Sequence, residues 1–543
     1  MDIMKKITLL FVIIFSINAF AQEDAWVYFN AKPNFQTYFD NPLTMLSQRA
    51  LDRRTNQNIA LDIKDVPVYQ SYTDQITAAN GITVMAKSKW FNCLHIRGTI
   101  DNINALTSLS FVEKVRFANS SLNTGGRLVS LKKMNKIKKV NKNLDVQTVF
   151  SYGNSNNQIQ MLNGILLHLQ NYTGAGKIIA VIDAGFPGVN VLPAFQRLRD
   201  NNLILGGYDF VSRNEDIYGD NSHGTLVLST MGGYVENQLV GTAPDAAYYL
   251  FRSEDATSEN PVEESLWVEA AETADSLGVD VINTSLGYFD YDNTSYSYTY
   301  EDINGITSFI SRGADVAFSR GMVVVVSAGN SGTTADPHIG VPGDAINVLT
   351  IGAVNSTEQY AAFSSIGPTF DQRIKPDVMA QGQSAVVCNQ NGNIVTASGT
   401  SFSGPITAGL VACLWQALPT KTNSEITQFI RASADNYSTP NAQYGYGIPD
   451  FNLALTNALS VDNFSGSNFI LTPNPTDGIL SVIFPEKSKI ATLLIYNSIG
   501  QLVIQKSVSK DLFSIDLSNL SSGIYLYSIQ SNTIIQNGKI IKK

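Results

Sequence analysis

The sequence is poor in the residues that would place it in several large functional classes. Cysteine occurs only at Cys93, Cys388 and Cys413, far apart and odd in number. With no Cys-x-x-Cys or other metal spacing, neither a disulfide framework nor a cysteine metal centre underlies the fold. Positive charge is in deficit. Against 46 Asp and Glu stand 37 Lys and Arg, for a net charge of −9 and a pI near 5.1. That argues against a nucleic-acid partner, which needs a basic face to neutralise phosphates. Long apolar runs are missing too: residues 7–17, 323–326 and 406–418 are each too short to span a bilayer, so no transmembrane segment is expected.

What is present fits a folded, multidomain chain. Hydrophobic residues make up 44% and charged ones 15%, too apolar for disorder. At 543 residues, length suggests three or four domains. Residues 1–21 combine Lys5 and Lys6, a short apolar core and the small-x-small end Ala19-Phe20-Ala21. They read as a signal peptide, so the protein is expected to be extracellular. Residues 22–121 alternate strand-like "AWVYFNA", "WFNCLHIRGT" and "VEKVRF" with helix-like "NPLTMLSQRALDRR" and "IDNINALTSLS", a small α/β unit. His95 there reads as a packed or surface strand residue. Residues 122–157 form a linker whose "KKMNKIKKVNK" at 132–142 is either plain solvated chain or an exposed processing site.

From 158 to 460 the pattern changes. "KIIAVIDAG", "AYYLFRS", "VDVINTSLG", "MVVVVSAGN" and "NVLTIGAV" are nearly all apolar and suit strands of a parallel sheet covered on both faces. "PVEESLWVEAAETADSLG" between them is helical. The expected fold is α/β, an open, mostly parallel sheet with helices on both faces. After a short linker at 461–468, residues 469–543 show short alternating runs split by polar or Gly turns, a small all-β sandwich.

Ligands of such sheets bind beyond the carboxyl ends of the strands, and four residues sit beside glycine at the candidate positions. Asp183 ends "IIAVID", His223 lies in "NSHGTLVL", Asn330 ends "VVVVSAGN", and Ser401 opens the helical "TSFSGPITAGL". Each has a bland reading: an Asx turn, a structural histidine, a strand-end turn, a helix N-cap. Together they supply a nucleophile, a base, a carboxylate to orient the base and a neutral oxyanion donor.

These segments resemble the subtilisin-like serine proteases, the subtilases. "VIDAGF" (181–186), "NSHGTLVLSTMGG" (221–233) and "SGTSFSGPITAGL" (398–410) resemble the family's Asp, His and Ser motifs, in the family's chain order. "GTAPDAAYYLFR", "NTSLG", "SAGNSG", "FSSIGP" and "IKPDVMAQG" add to the match over about 300 residues. Ile406-Thr407 departs from the commoner His-Val, in a packing helix. The resemblance implies an endopeptidase acting on polypeptides. Ser401 would be nucleophile, His223 general base, Asp183 its orienting carboxylate, and Asn330 with the Ser401 N–H the oxyanion hole. Ser285, Leu286 and Gly287, in a segment likened to a substrate-pairing edge strand, would bind substrate with Ala328 and Gly329. No cofactor is implied, and structural calcium is left open. Residues 22–121 resemble an inhibitory propeptide. "LTPNPTDGIL", "IYNSIGQLV", "LSSGIYLYSI" and the Lys-rich end resemble a type A sorting domain of the type IX secretion system, whose machinery would be a partner.

Two rivals remain. One is a subtilase-fold binding or surface protein that has lost its chemistry. The other is an esterase, which would carry its serine in a Gly-x-Ser-x-Gly elbow ahead of the acid and histidine. The tyrosine-rich "YFDYDNTSYSYTY" (288–300) either walls the substrate cleft or is a decorated surface loop.

Overall fold

The computed structural model describes residues 22–123, 150–460 and, in the tail, 469–543 except 473, 485–489, 498–499, 510–513 and 532–534. The expected signal peptide, the Lys-rich 132–142 and the linker 461–468 lie outside the described residues. The chain forms two compact units that part between Leu455 and Thr456.

The first unit opens with an antiparallel sheet of β1 (Gln22–Phe29), β2 (Ile82–Ser88), β3 (Cys93–Thr99) and β4 (Val112–Phe117), in the order β2-β3-β1-β4. Side chains of a strand alternate between faces, and here both faces are covered. Ala25, Val27 and Phe29 pack with Ile76, Leu94, Ile96 and Ile103 inside the small domain. Trp26 and Tyr28, with Ala86, Trp90 and Cys93, instead join the core of the large domain. This is why "AWVYF" is apolar at every position rather than at every second one. Between β1 and β2 lies helix α1 (Gln48–Asn56), capped by Ser47.

The large domain is built on a seven-stranded sheet. Its strands are β5 (Ile178–Asp183), β6 (Ile204–Asp209), β7 (Ala247–Arg252), β8 (Val281–Thr284), β9 (Val323–Ser327), β10 (Leu349–Val354) and β11 (Val378–Gln381). They run parallel in the order β11-β10-β9-β8-β5-β7-β6. Helices α2 (His223–Gly232), α3 (Val262–Leu277), α4 (Phe309–Ser319) and α5 (Thr400–Ala417) flank it. The small edge strand β6 and the late β11 are not evident as apolar runs in the sequence. Strand β8 is interior, paired on both sides, and not an edge strand; Ser285–Leu286–Gly287 continues past the carboxyl end of the sheet. Phe150 and Tyr152 join a small core with Ile159 and Val240.

Helix α5 is buried from Phe402 through Trp415, apolar on every side because protein surrounds it. Pro405 lies inside it. A proline has no N–H for the carbonyl four residues back, and the Ser285 hydroxyl donates to that Ser401 carbonyl instead, at 3.1 Å. The three cysteines are free and buried.

In the second unit, β12 (Ile470–Thr472), β13 (Ile479–Ile483) and β16 (Ser514–Asp516) form one antiparallel sheet. Strands β14 (Ile490–Tyr496), β15 (Leu502–Ser509), β17 (Gly523–Gln530) and β18 (Ile535–Lys542) form the other, in the order β15-β14-β17-β18. The two share a core of Leu480, Leu493, Ile495, Ile515, Leu517, Ile529 and Ile540.

Close packing of α5 is testable at Gly409, where a Cβ would lie 2.0 Å from Thr242 Oγ1 and 3.2 Å from Ala243 N. Gly409→Val is expected to destabilise the large domain by about 1–3 kcal/mol through overpacking. Its denaturation midpoint should fall below the parent's; an unchanged midpoint would show that the helix has slack.

Candidate active site

Asp183 is the last residue of β5, the first polar side chain after five buried apolar ones, and is itself 1% exposed. Gly185 follows at φ 143°, and a Cβ there would lie 2.6 Å from the Gly219 carbonyl oxygen. That close approach brings the chain before α2 over the end of β5. His223, the first residue of α2, then sets its Nδ1 2.7 Å from Asp183 Oδ1. The Ala184 N–H also donates to this oxygen, at 2.8 Å. The charge of Asp183 raises His223 above its ordinary 6.5, against burial, which lowers it; Glu254 adds to the rise. A helix N-terminus disfavours an imidazolium, so the adjacent carboxylate is the dominant influence.

Ser401 is the second residue of α5. Its N–H lies in the first turn, where no intrahelical acceptor exists. The hydroxyl donates to the Ser285 carbonyl at 3.3 Å, and no hydrogen bond joins it to His223. Phe402, next in the chain, sits with its ring centre 6.3 Å from that of His223. Asn330 follows β9. Its Oδ1 accepts from the Thr400 N–H at 2.9 Å and from Thr400 Oγ1 at 3.1 Å. Those two donors fix which way the amide faces and leave Nδ2 as the open donor. Thr400 Oγ1 also takes the Gly329 N–H at 3.1 Å, tying α5 to the end of β9. A Cβ on Gly399 would meet the Asn330 amide at 3.7 Å, an ordinary contact. Space alone would admit a side chain there, but Gly399 sits at φ 157°, a conformation that L side chains rarely adopt.

A cleft of about 250 Å³ runs between these segments. All five expected substrate residues, Ser285, Leu286, Gly287, Ala328 and Gly329, line it together with Asn330 and Ser401. Asp183 and His223 form their pair beside it and are not among its lining. Gly340 and Ser365 also line it, and no lining residue is charged. Thr400, which orients Asn330 across 70 residues of sequence, and Ser285 Oγ, which replaces the donor missing at Pro405, carry no signal of these roles in the sequence.

The tyrosine-rich stretch is neither a wall of the cleft beyond Tyr288 and Phe289 nor a loose decoration. Tyr291 and Tyr298 donate to Glu264 at 2.7 and 2.5 Å, and Tyr288 to Glu254 at 2.6 Å. Tyr296 donates to Glu23 of the small domain at 3.0 Å. His95 is likewise internal, between Ser265 and Asp24. Among the described residues, the group of carboxylates able to hold a cation is Glu254, Glu259 and Glu263, whose oxygens lie within 4.8 Å of one another. Burial pushes Glu254 and Glu259 up to about 7 and Glu263 up to about 9. The Asp255 and Asn260 N–H groups already occupy Glu263, each at 2.9 Å.

Comparison with known proteins finds three matches to families. Residues 174–447 match the Subtilase family, 24–140 the Peptidase S8 propeptide domain of Bacteroidota, and 471–543 the Secretion system C-terminal sorting domain. The chain is 32% identical over 298 residues to Subtilisin NAT of Bacillus subtilis subsp. natto, covering 53% of this chain and 68% of that protein. It is also 32% identical to Subtilisin of Bacillus pumilus, covering 94% of that protein and 53% of this chain. Serine protease AprX of Bacillus subtilis is 29% identical over 310 residues, covering 51% of this chain and 66% of that protein. No helix among the described residues is long and apolar enough to cross a membrane.

The Asp183–His223 contact makes a prediction independent of any reaction. In an NMR titration the His223 ring should titrate above 6.5. Asp183→Asn removes the charge that raises it, and burial should then bring the titration down toward or below 6.5. An unmoved midpoint would mean that another group sets it.

Proposed function

Because this chain belongs to the subtilase family and is a serine endopeptidase, we propose that Ser401, His223, Asp183 and Asn330 carry its hydrolysis of peptide bonds. The 2.7 Å Asp183–His223 contact beside the helix end that bears Ser401 carries this reading. His223 Nε2 takes the proton of Ser401 Oγ as that oxygen attacks the scissile carbonyl carbon. Asp183 holds the tautomer that leaves Nε2 free and stabilises the imidazolium that forms. The carbonyl oxygen becomes an oxyanion and accepts from Asn330 Nδ2 and the Ser401 N–H. The C–N bond then breaks, the amine leaves with the proton from His223, and Ser401 holds the acyl group. Water, deprotonated by His223, attacks the ester carbonyl; the bond between that carbon and Ser401 Oγ then breaks, the carboxylic acid leaves, and His223 returns the proton to Ser401 Oγ. These steps use no cofactor.

The hydroxyl facing Ser285 is read as a resting rotamer. A turn about Cα–Cβ is needed to meet His223, and catalytic hydrogen bonds are commonly unformed before substrate arrives. The backbone of 285–287, free of the sheet, would pair with an extended substrate. The uncharged lining of the cleft favours uncharged substrate side chains.

The sorting domain exports the protein through the type IX system to the extracellular space or cell surface. The chain carries its own propeptide domain, and severing within 122–157, at the Lys-rich 132–142, would separate it from the enzyme. The Ser401–Ser285 hydrogen bond is the one observation that favours the rival reading of an inactive binding protein.

Casein hydrolysis by the secreted protein separates the two. Ser401→Ala should abolish it, and Asn330→Ala should lower turnover on the order of 10² to 10³-fold. A fluorophosphonate should label Ser401 and no other serine. An unlabelled, inert parent from which the propeptide has been removed would favour the binding protein.

A further inference from the structure

Asn283 is the third residue of β8 and is fully buried. Its backbone lies between Val181 of β5 and Val325 of β9. A strand paired on both sides and covered on both faces favours an apolar side chain here, as at Val281 and Ile282. Asn283 Nδ2 instead donates to Ser285 Oγ at 3.1 Å. Thr284, between the two, turns to the other face, where its hydroxyl accepts from the Trp267 indole at 3.1 Å. Asn283 Oδ1 is buried and has no hydrogen-bond partner. An amide oxygen buried unmatched is costly, and a leucine would avoid that cost. The packing of β8 therefore gives no reason for the amide.

The reason lies in what Ser285 touches next. Its hydroxyl donates to the Ser401 carbonyl at 3.1 Å, and its own carbonyl accepts from the Ser401 hydroxyl at 3.3 Å. A serine hydroxyl has one proton and rotates to suit its surroundings. Ser285 lines the cleft, so a free hydroxyl there could turn away from α5. The Asn283 N–H occupies a lone pair of Oγ and leaves its proton for the Ser401 carbonyl. With the amide reversed, that proton would go to Asn283, and the carbonyl freed by Pro405 would lose its donor. A two-link chain thus runs from the interior of the sheet to the residue that bears the hydroxyl of the site. We propose that Asn283 is a positioning residue for peptide hydrolysis. Acting through the Ser285 hydroxyl, it holds the backbone of Ser401 where the Ser401 N–H and side chain meet the substrate carbonyl. The inference rests on the reading of Ser401 as the nucleophile.

Turnover of a chromogenic peptide anilide by the secreted protein, freed of its propeptide, tests this. Asn283→Leu is close in size and removes the donor and the unmatched oxygen together. Its kcat should fall about tenfold, with KM within about twofold of the parent. Its denaturation midpoint should stay level or rise. A residue that served packing alone would show the reverse, a lower midpoint with kcat unchanged. Ser285→Ala should lower kcat by a similar factor. The double variant should be slower than Ser285→Ala by no more than about twofold, because Asn283 then has nothing to act through. Should Asn283→Leu fail to fold, Asn283→Ala, which cannot overpack, takes its place in the cycle. A kcat within about twofold of the parent, or two effects that multiply in the double variant, overturns the proposal. A parent that is inert and unlabelled by a fluorophosphonate overturns the reading of Ser401, and the proposal with it.

Discussion

The cleft depends on how the amino end of one buried helix is held. Helix Thr400–Ala417 leaves its first N–H groups and one carbonyl without helical partners, and the strands around it provide substitutes. Asn330 Oδ1 takes the Thr400 N–H, the Ser285 hydroxyl donates to the Ser401 carbonyl, and the Ser327 hydroxyl donates to the Thr400 carbonyl at 2.8 Å. The same bonds that end the helix therefore aim the Asn330 amide and fix the backbone of Ser401. Pro405, which elsewhere would weaken a helix, here frees a carbonyl for the segment that lines the cleft.

The propeptide domain shows what a sheet with two covered faces requires. One face holds its own helix-packed core; the other lies on the helices of the large domain through Trp26, Tyr28 and Trp90. Most polar groups trapped between them are matched, the buried indole N–H of Trp90 being an exception. Glu272 accepts from the Ser88 hydroxyl at 2.6 Å and from the N–H groups of Trp90 and Lys89 at 2.9 and 3.0 Å. The indole of Trp26 donates to Ser265 at 2.8 Å. A buried acceptor with a full set of donors costs little, whereas one left unmatched is expensive. Such an interface specifies its partner more than it adds raw adhesion.

The tyrosines of 288–300 follow the same rule. Each is a large apolar surface with a polar tip, and three of the tips meet Glu254, in the loop after β7, and Glu264, in the first turn of α3. A stretch that reads as loop decoration is thus a packing element between two domains.

Much of this could be read along the chain. Apolar runs announced the central strands because a strand buried on both faces has no polar side to show. Asp183, His223, Asn330 and Ser401 were visible because each lies beside glycine where such a run ends or a helix begins. Edge strand β6 was hidden because an edge is half exposed and mixes polar with apolar residues. Strand β8, likened to an edge strand only through the family resemblance, lies inside the sheet, and only its continuation at 285–287 leaves it. The sequence by itself determined the local chemistry: which residues could donate, accept or carry charge, and where strands stop. Only the tertiary structure decided which of them meet. Asp275 finds Arg53 across 222 residues and Thr400 finds Asn330 across 70. Contacts at such distance leave no periodicity, because they follow from how whole elements pack and not from the spacing of neighbours along the chain.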